Sequence, residues 1–253
     1  MYYSQGSFGT ETMFMYDAAK VLHMNMRSAA ILAGALIVVL AAIVIVFFFP
    51  GSLNLPGAGG ATSLPSAEVR SYQGTDLSAI ANMPENAISG TQYINASDYR
   101  LTVDGLVRNN TRSTYQEILD TYPHYSKVVR LDCVEGWSAT ILWEGVRVSD
   151  LIKDAGPDPQ ANTVIFHATD GYTTSFPLSY VTDNNILLAY KMNNLTLDPT
   201  HGYPLRLVAE DKWGYKWIKW VNEIELSDNA NYEGYWEQRG YSNNGDLNGS
   251  KYA

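Results

Sequence analysis

The chain has one cysteine, Cys133, in 253 residues, which excludes an intramolecular disulfide framework and any cysteine-rich zinc module. It has no CxxC or HExxH pair and no internal repeat. Charge is also scarce. Asp, Glu, Lys and Arg make up 17% of the residues, below the roughly 25% usual in globular chains, so neither a coiled coil nor a charge-rich disordered chain fits. Basic residues number 17 against 26 acidic ones, for a net charge of −9. No nucleic acid is expected as a partner, because phosphate neutralisation supplies most of that affinity and needs a basic surface. Aromatic side chains are plentiful instead, with 18 Tyr and 6 Trp, and the length suits one large domain or two small ones.

Residues 28–49, SAAILAGALIVVLAAIVIVFFF, run without a charge. As a helix they would measure roughly 33 Å at about 1.5 Å per residue, enough to span a bilayer. A buried core helix of this length would show a polar stripe. A cleaved signal peptide would have a shorter apolar region ending in small residues, not in Phe47, Phe48, Phe49 and Pro50. An uncleaved single-pass transmembrane anchor is therefore expected. Lys20 and Arg27 precede it and no base follows until Arg70, so the positive-inside bias leaves residues 1–27 as a short cytoplasmic tail and puts the bulk of the chain on the extracytoplasmic side. Residues 50–67, rich in Gly, Pro and Ser, read as a flexible linker. The folded domain is expected over 68–228, with 229–253 as a C-terminal extension. Sequons at Asn95, Asn109, Asn194 and Asn248 suit an exported surface.

Within the domain, YRLTVDGLV (99–107) alternates and holds an Asp-Gly turn signal, and KVVRLDC (127–133) puts Val129, Leu131 and Cys133 on one strand face. Further strands are predicted at 163–167, 173–176, 205–209 and 217–226, and short helices at 114–121, 148–155 and 178–183. The sum is a mixed, β-rich α+β domain.

Cys133 opens the loop Val134, Glu135, Gly136, Trp137 at a strand end, where a side chain is fixed by the sheet yet can face a cleft. A buried inert thiol is the common fate of a free cysteine. An exported chain that keeps an unpaired thiol better fits a ligand or a catalytic thiolate. Nucleophilic catalysis would need a base, and sequence alone places none of His124, His167 and His201 beside Cys133 or away from it. A thiolate completing a soft metal held mainly by an organic cofactor needs only one protein ligand.

LDCVEGWSATILWEGVRVSDLI (131–152) resembles the segment around the molybdenum-ligating cysteine in the sulfite oxidase family of molybdopterin enzymes. PENAISGTQ (84–92) with YRLTVDGLV resembles the family's N-terminal entry, HGYPLRLV (201–208) and KWGYKWIK (212–219) its pterin-phosphate clamp, and GYWEQRGYS (234–242) a recurring C-terminal stretch. The resemblance runs from about Tyr72 to Ser242 in the expected order. It implies a sulfite-oxidase-type molybdopterin-binding domain holding molybdenum-molybdopterin, preceded by the one transmembrane helix. Cys133 would then be the catalytic thiolate and metal ligand, while Asn86, Thr169, His201, Arg206, Gly214, Tyr215 and Lys216 would bind the pterin and its phosphate. Bases and exposed N–H groups suit a phosphate in any case. Trp137 reads either as a site neighbour or as core.

Sulfite oxidases place arginines just after the ligating cysteine, which suits an anion. Here the next arginine is Arg147, and Cys-Val-Glu followed by Trp is closer to the bacterial periplasmic branch that reduces methionine sulfoxide. The implied reaction is reduction of an S-oxide or N-oxide, with electrons from a membrane haem or other electron-transfer protein. A sulfite oxidase-like dehydrogenase is the alternative within the family, and a non-enzymatic stalked surface binding module the alternative outside it. Only about 25 residues follow Leu226, too few for the β-sandwich that dimerises sulfite-type domains, so a monomer is expected. Exported members usually carry a twin-arginine signal, and here Arg27 stands alone before the span.

Overall fold

A computed structural model of the chain describes residues 67–253. The expected tail and anchor, and all but the last residue of the linker, lie outside the described residues. Among the described residues no helix is long and apolar enough to cross a membrane.

A small hairpin, β1 (Ser71–Tyr72) and β2 (Thr75–Asp76), precedes the two main sheets. Next come β3 (Arg100–Gly105), β4 (Thr111–Thr114) and α1 (Tyr115–Thr121). Helix α1 starts where it does because Thr114 and Glu117 form a reciprocal capping box. Strands β5 (Tyr125–Asp132) and β6 (Ser138–Arg147) then form a long antiparallel hairpin, followed by α2 (Val148–Ala155). Strands β7 (Thr163–Ala168) and β8 (Thr173–Pro177) form another, followed by α3 (Leu178–Asp183), β9 (Leu187–Met192), β10 (Leu195–Thr196), β11 (Arg206–Val208) and β12 (Val221–Ser227).

These strands make two five-stranded sheets. One runs β10, β9, β6, β5, with β11 pairing along β9; the other runs β4, β3, β12, β7, β8. Strand β12 lies parallel to β3 and antiparallel to β7. Inward residues of both sheets, among them Leu131, Ile141, Trp143, Val103, Phe166 and Ile224, belong to a single core cluster. Each such side chain contributes about 1.5–3 kcal/mol by leaving water.

The strands expected at 99–107, 127–133, 163–167, 173–176 and 205–209 are present within a few residues, as are all three helices. The strand expected over 217–226 begins only at Val221. Residues 217–220 are instead a turn, in which Trp220 takes φ +53 and its indole N–H donates to the Pro199 carbonyl at 2.8 Å. Strands β6 and β9 went unread because both are buried on both faces over most of their length, which erases the alternation that marks a strand. Residues 229–253 pack onto the domain: the Tyr235 N–H donates to the Thr173 carbonyl at 2.9 Å, and Glu237 is buried against Lys216.

Candidate active site

Cys133 is the first residue past β5, so the sheet sets its position. The loop it opens closes on itself, with the Cys133 N–H donating to the Trp137 carbonyl at 2.9 Å and the Gly136 N–H donating to the Cys133 carbonyl at 3.0 Å. The segment after β11 runs alongside, bridged in parallel between Asp132 and Trp213. Gly214 permits that approach. A Cβ there would come within 3.3 Å of both the Asp132 carbonyl oxygen and the Cys133 Cα.

The thiol, only 8% exposed, faces a cavity of about 420 Å³. Asn86, His201, Arg206, Gly214 and Tyr215 line the same cavity, as does Trp137. Two residues named from the sequence do not. The Thr169 hydroxyl turns to the Trp220 carbonyl at 3.3 Å. Lys216 is fully buried elsewhere, donating to Glu237 at 2.6 Å and to the Ser175 and Asn243 carbonyls at 2.8 and 2.9 Å. The lysine that reaches the cavity is Lys219, from the same quoted segment. Its ammonium donates to the Thr200 carbonyl at 2.9 Å and lies 3.3 Å from Glu85.

The cavity has two chemically different regions. Around His201 the groups are cationic and under-satisfied. The His201 Nδ1 sits 2.8 Å from Asp198, whose carboxyl stays below its usual range because hydrogen bonds from Thr200 and His201 outweigh its burial. The opposite ring nitrogen, Nε2, is buried without a partner. Arg206 is buried too; one N–H donates to the His201 carbonyl at 3.1 Å, and its Nε has no partner. Burial pulls the Arg206 pKa down to about 10, and burial together with the neighbouring Arg206 charge pulls Lys219 down to about 8. A buried guanidinium and a buried imidazole, each with a nitrogen that has no partner, call for an anion.

At the thiol the charge is reversed. Glu135 Oε2 lies 3.9 Å from the Cys133 sulfur and accepts from Asn86 at 3.0 Å and from the Trp137 indole at 3.2 Å. These two hydrogen bonds hold the Glu135 carboxyl below its usual range, so it is ionised at neutral pH. Burial pushes the Cys133 thiol up, the Glu135 charge adds to this, and the backbone N–H groups of Glu135 and Val134 pull the other way. Tyr235, Trp236 and Tyr241 wall the cavity. The Tyr241 phenol is raised by burial, then by Tyr252, Cys133 and Glu135.

Lys219 and Tyr241 are not singled out in the sequence, although each falls inside a quoted motif, and Glu135 enters there only as part of Cys-Val-Glu. Composition alone could not say which lysine of KWGYKWIK faces inward, because a short 3-10 turn, Gly214–Lys216, sets the facing.

The donor set fits a group with a metal at one end and a phosphate at the other, since one buried thiol and the unpartnered nitrogens of His201 and Arg206 share the cavity. Comparison with known proteins agrees. A family model described as oxidoreductase molybdopterin binding domain matches residues 88–236. The uncharacterized oxidoreductase YuiH of Bacillus subtilis (strain 168) is 36% identical over 155 residues, covering 61% of this chain and 77% of that one. A putative protein-methionine-sulfoxide reductase subunit, YedZ1, of Azospira oryzae is 33% identical over 162 residues, covering 63% of this chain and 61% of that one. Among solved structures, the sulfane dehydrogenase SoxCD from Paracoccus pantotrophus superposes with a TM-score of 0.56 at 26% identity, over 62% of this chain and 44% of that one.

Proposed function

Because the chain belongs to the oxidoreductase molybdopterin-binding domain family, the sulfite oxidase family that its motifs resemble, we propose that it is a membrane-anchored reductase of a neutral S-oxide or N-oxide. Its domain stands on the extracytoplasmic side, fed with electrons by a membrane haem or other electron-transfer protein. The anchor and its orientation rest on residues 28–49 and the bases before them.

When bound, molybdenum-molybdopterin supplies two-electron oxygen-atom transfer. Cys133 would hold the metal through its sulfur, giving up the proton that its burial otherwise favours, because a coordinating thiol is deprotonated by the cation. His201, Arg206 and Lys219 would hold the phosphate, with His201 Nε2 and Arg206 Nε finding there the partners they lack. Gly214 and Tyr215 wall the same cavity. Trp137, Tyr235 and Trp236 exclude bulk water. Reduction of an oxide takes up two electrons and two protons and releases the oxygen as water. Tyr241 lines the cavity as well, and its phenol, raised first by burial, keeps its proton at neutral pH.

The observation that carries the choice of substrate is the ionised Glu135 carboxylate, 3.9 Å from the ligating sulfur. An incoming sulfite would meet a like charge there, whereas a neutral oxide would not. The test is elemental analysis together with paired assays on protein made in a host that supplies the cofactor. The expected result is about one molybdenum per chain, reduction of dimethyl sulfoxide or trimethylamine N-oxide with a reduced viologen, and negligible sulfite oxidation with ferricyanide. Cys133→Ala should lose metal and activity together. Sulfite oxidation exceeding oxide reduction would reverse the direction, and a folded, metal-free protein would leave the stalked binding module.

A further inference from the structure

Away from the cavity, the second sheet carries a group of ligand-type side chains with no role in the chemistry above. Val221, Ile224 and Leu226 of β12 are all buried. The first two are three residues apart, so simple alternation fails between them, and the register of β12 on β7 shifts between Val221 and Glu223. Such a bulge re-aims the side chains that follow it. Here it turns Glu223 and Glu225 to the outer side of the sheet, where His167 of β7 stands directly across from Glu223. His167 Nε2 lies 2.9 Å from Glu225 Oε2 and 3.9 Å from Glu223 Oε1. One ligand atom from each of the three lies within 4.8 Å of the other two. On the far side of β12, Asp104 of β3 pairs with Glu225, and its carboxyl is pushed up by burial and by the Glu225 charge.

Two carboxylates thus face one imidazole, with a third, Asp104, beside Glu225. Among the described residues no Lys or Arg nitrogen comes within 4.0 Å of any of them, His167 being the only base in reach. The side chains are half-sheltered, with 25% of His167, 39% of Glu223 and 36% of Glu225 exposed, so an ion can enter while the strands hold the ligands in place. We propose that His167, Glu223 and Glu225 bind a divalent first-row metal ion of the zinc class, separate from the molybdopterin cavity, with Asp104 beside it to offset the charge. Three protein ligands, one of them an imidazole, suit zinc with one position left to water. The imidazole weighs against calcium and magnesium, which want oxygen alone. The ion ties β7 to β12 at the bulge, next to the turns that carry Asp170 and Lys219 to the cavity wall. The sequence hid this site because its ligands come from separate strands and match no spacing motif.

The test is calorimetric titration of the cofactor-loaded full chain with zinc chloride, with calcium chloride as control, alongside His167→Ala, His167→Gln and the double variant Glu223→Gln, Glu225→Gln. One zinc equivalent of micromolar affinity is expected in the parent. Each variant should lose that equivalent or bind it at least tenfold more weakly, while keeping the parent's circular dichroism. Zinc should also raise the parent's thermal midpoint by several degrees and leave the variants unmoved. Zinc affinity no greater than calcium affinity in the parent, or an undiminished equivalent in a folded His167 variant, would overturn the assignment.

Discussion

Lys216 and Lys219 sit three residues apart in one motif and do opposite work. Lys216 is sealed with Glu237 at zero exposure on both sides, so Lys216→Met leaves a carboxylate stranded in the interior. Breaking one side of such a pair costs about 3–5 kcal/mol, and a thermal melt should register it as a fall of roughly 10 °C or more. Lys219→Met should melt near the parent temperature and instead cut the fraction of chains that retain molybdenum. Equal behaviour of the two variants in both measurements would contradict the division. The ordinary pKa of a lysine is 10.5, and burial brings Lys219 to about 8, so its charge is present below that pH and lost above it. Sulfate binding by the cofactor-free chain should therefore weaken several-fold between pH 7 and pH 9, and Lys219→Met should flatten that dependence. At this scale the sequence pointed to the right segments and missed the facing at Thr169 and Lys216. Cys133, His201 and Arg206 reach the cavity. Lys216 does not, because the turn at Gly214–Lys216 rotates it toward the C-terminal residues.

Elements were legible where one periodicity was uncontested. Thr114 with Glu117 announces α1, and the alternation of RLTVDG announces β3. Strand β6, with SATILWEGVR mostly buried on both faces, carries no alternation to read, although it is the centre of its sheet and one arm of the Cys133 loop. The bulge in β12 was equally invisible, since Val221 and Glu223 would share a face in any regular strand. The parallel pairing of β3 and β12 has one point of unusually close contact. Gly105 takes φ +79, and a Cβ there would stand 2.2 Å from the Leu226 carbonyl oxygen. Gly105→Ala must push the end of β3 off β12, at a cost of roughly 2–4 kcal/mol from clash and strain together. Urea unfolding should show the lower midpoint, with an unchanged slope if the rest of the fold holds.

For the molecule as a whole, the main departure from a linear reading is the part played by residues 229–253. Read as an extension, they supply Tyr235, Trp236 and Tyr241 to the cavity wall and Glu237 to the buried pair. A chain stopped after Asp228 should therefore lose cofactor retention and melt well below the full chain; a truncated protein that keeps its molybdenum would show that the wall is dispensable. The molybdopterin-domain fold was foreseeable because its motifs keep their order from about Tyr72 to Ser242. What the order could not convey is that the last of them folds back to wall the cavity that Cys133 faces. Tyr241 follows Cys133 by 108 residues, which at about 5–20 residues per second is roughly 5–20 s of synthesis. During that interval the thiol exists without the wall that will shelter it. Cofactor insertion therefore has to wait until the chain has been made through Tyr241, and a cell short of cofactor would accumulate folded protein waiting to be loaded, not stalled fragments.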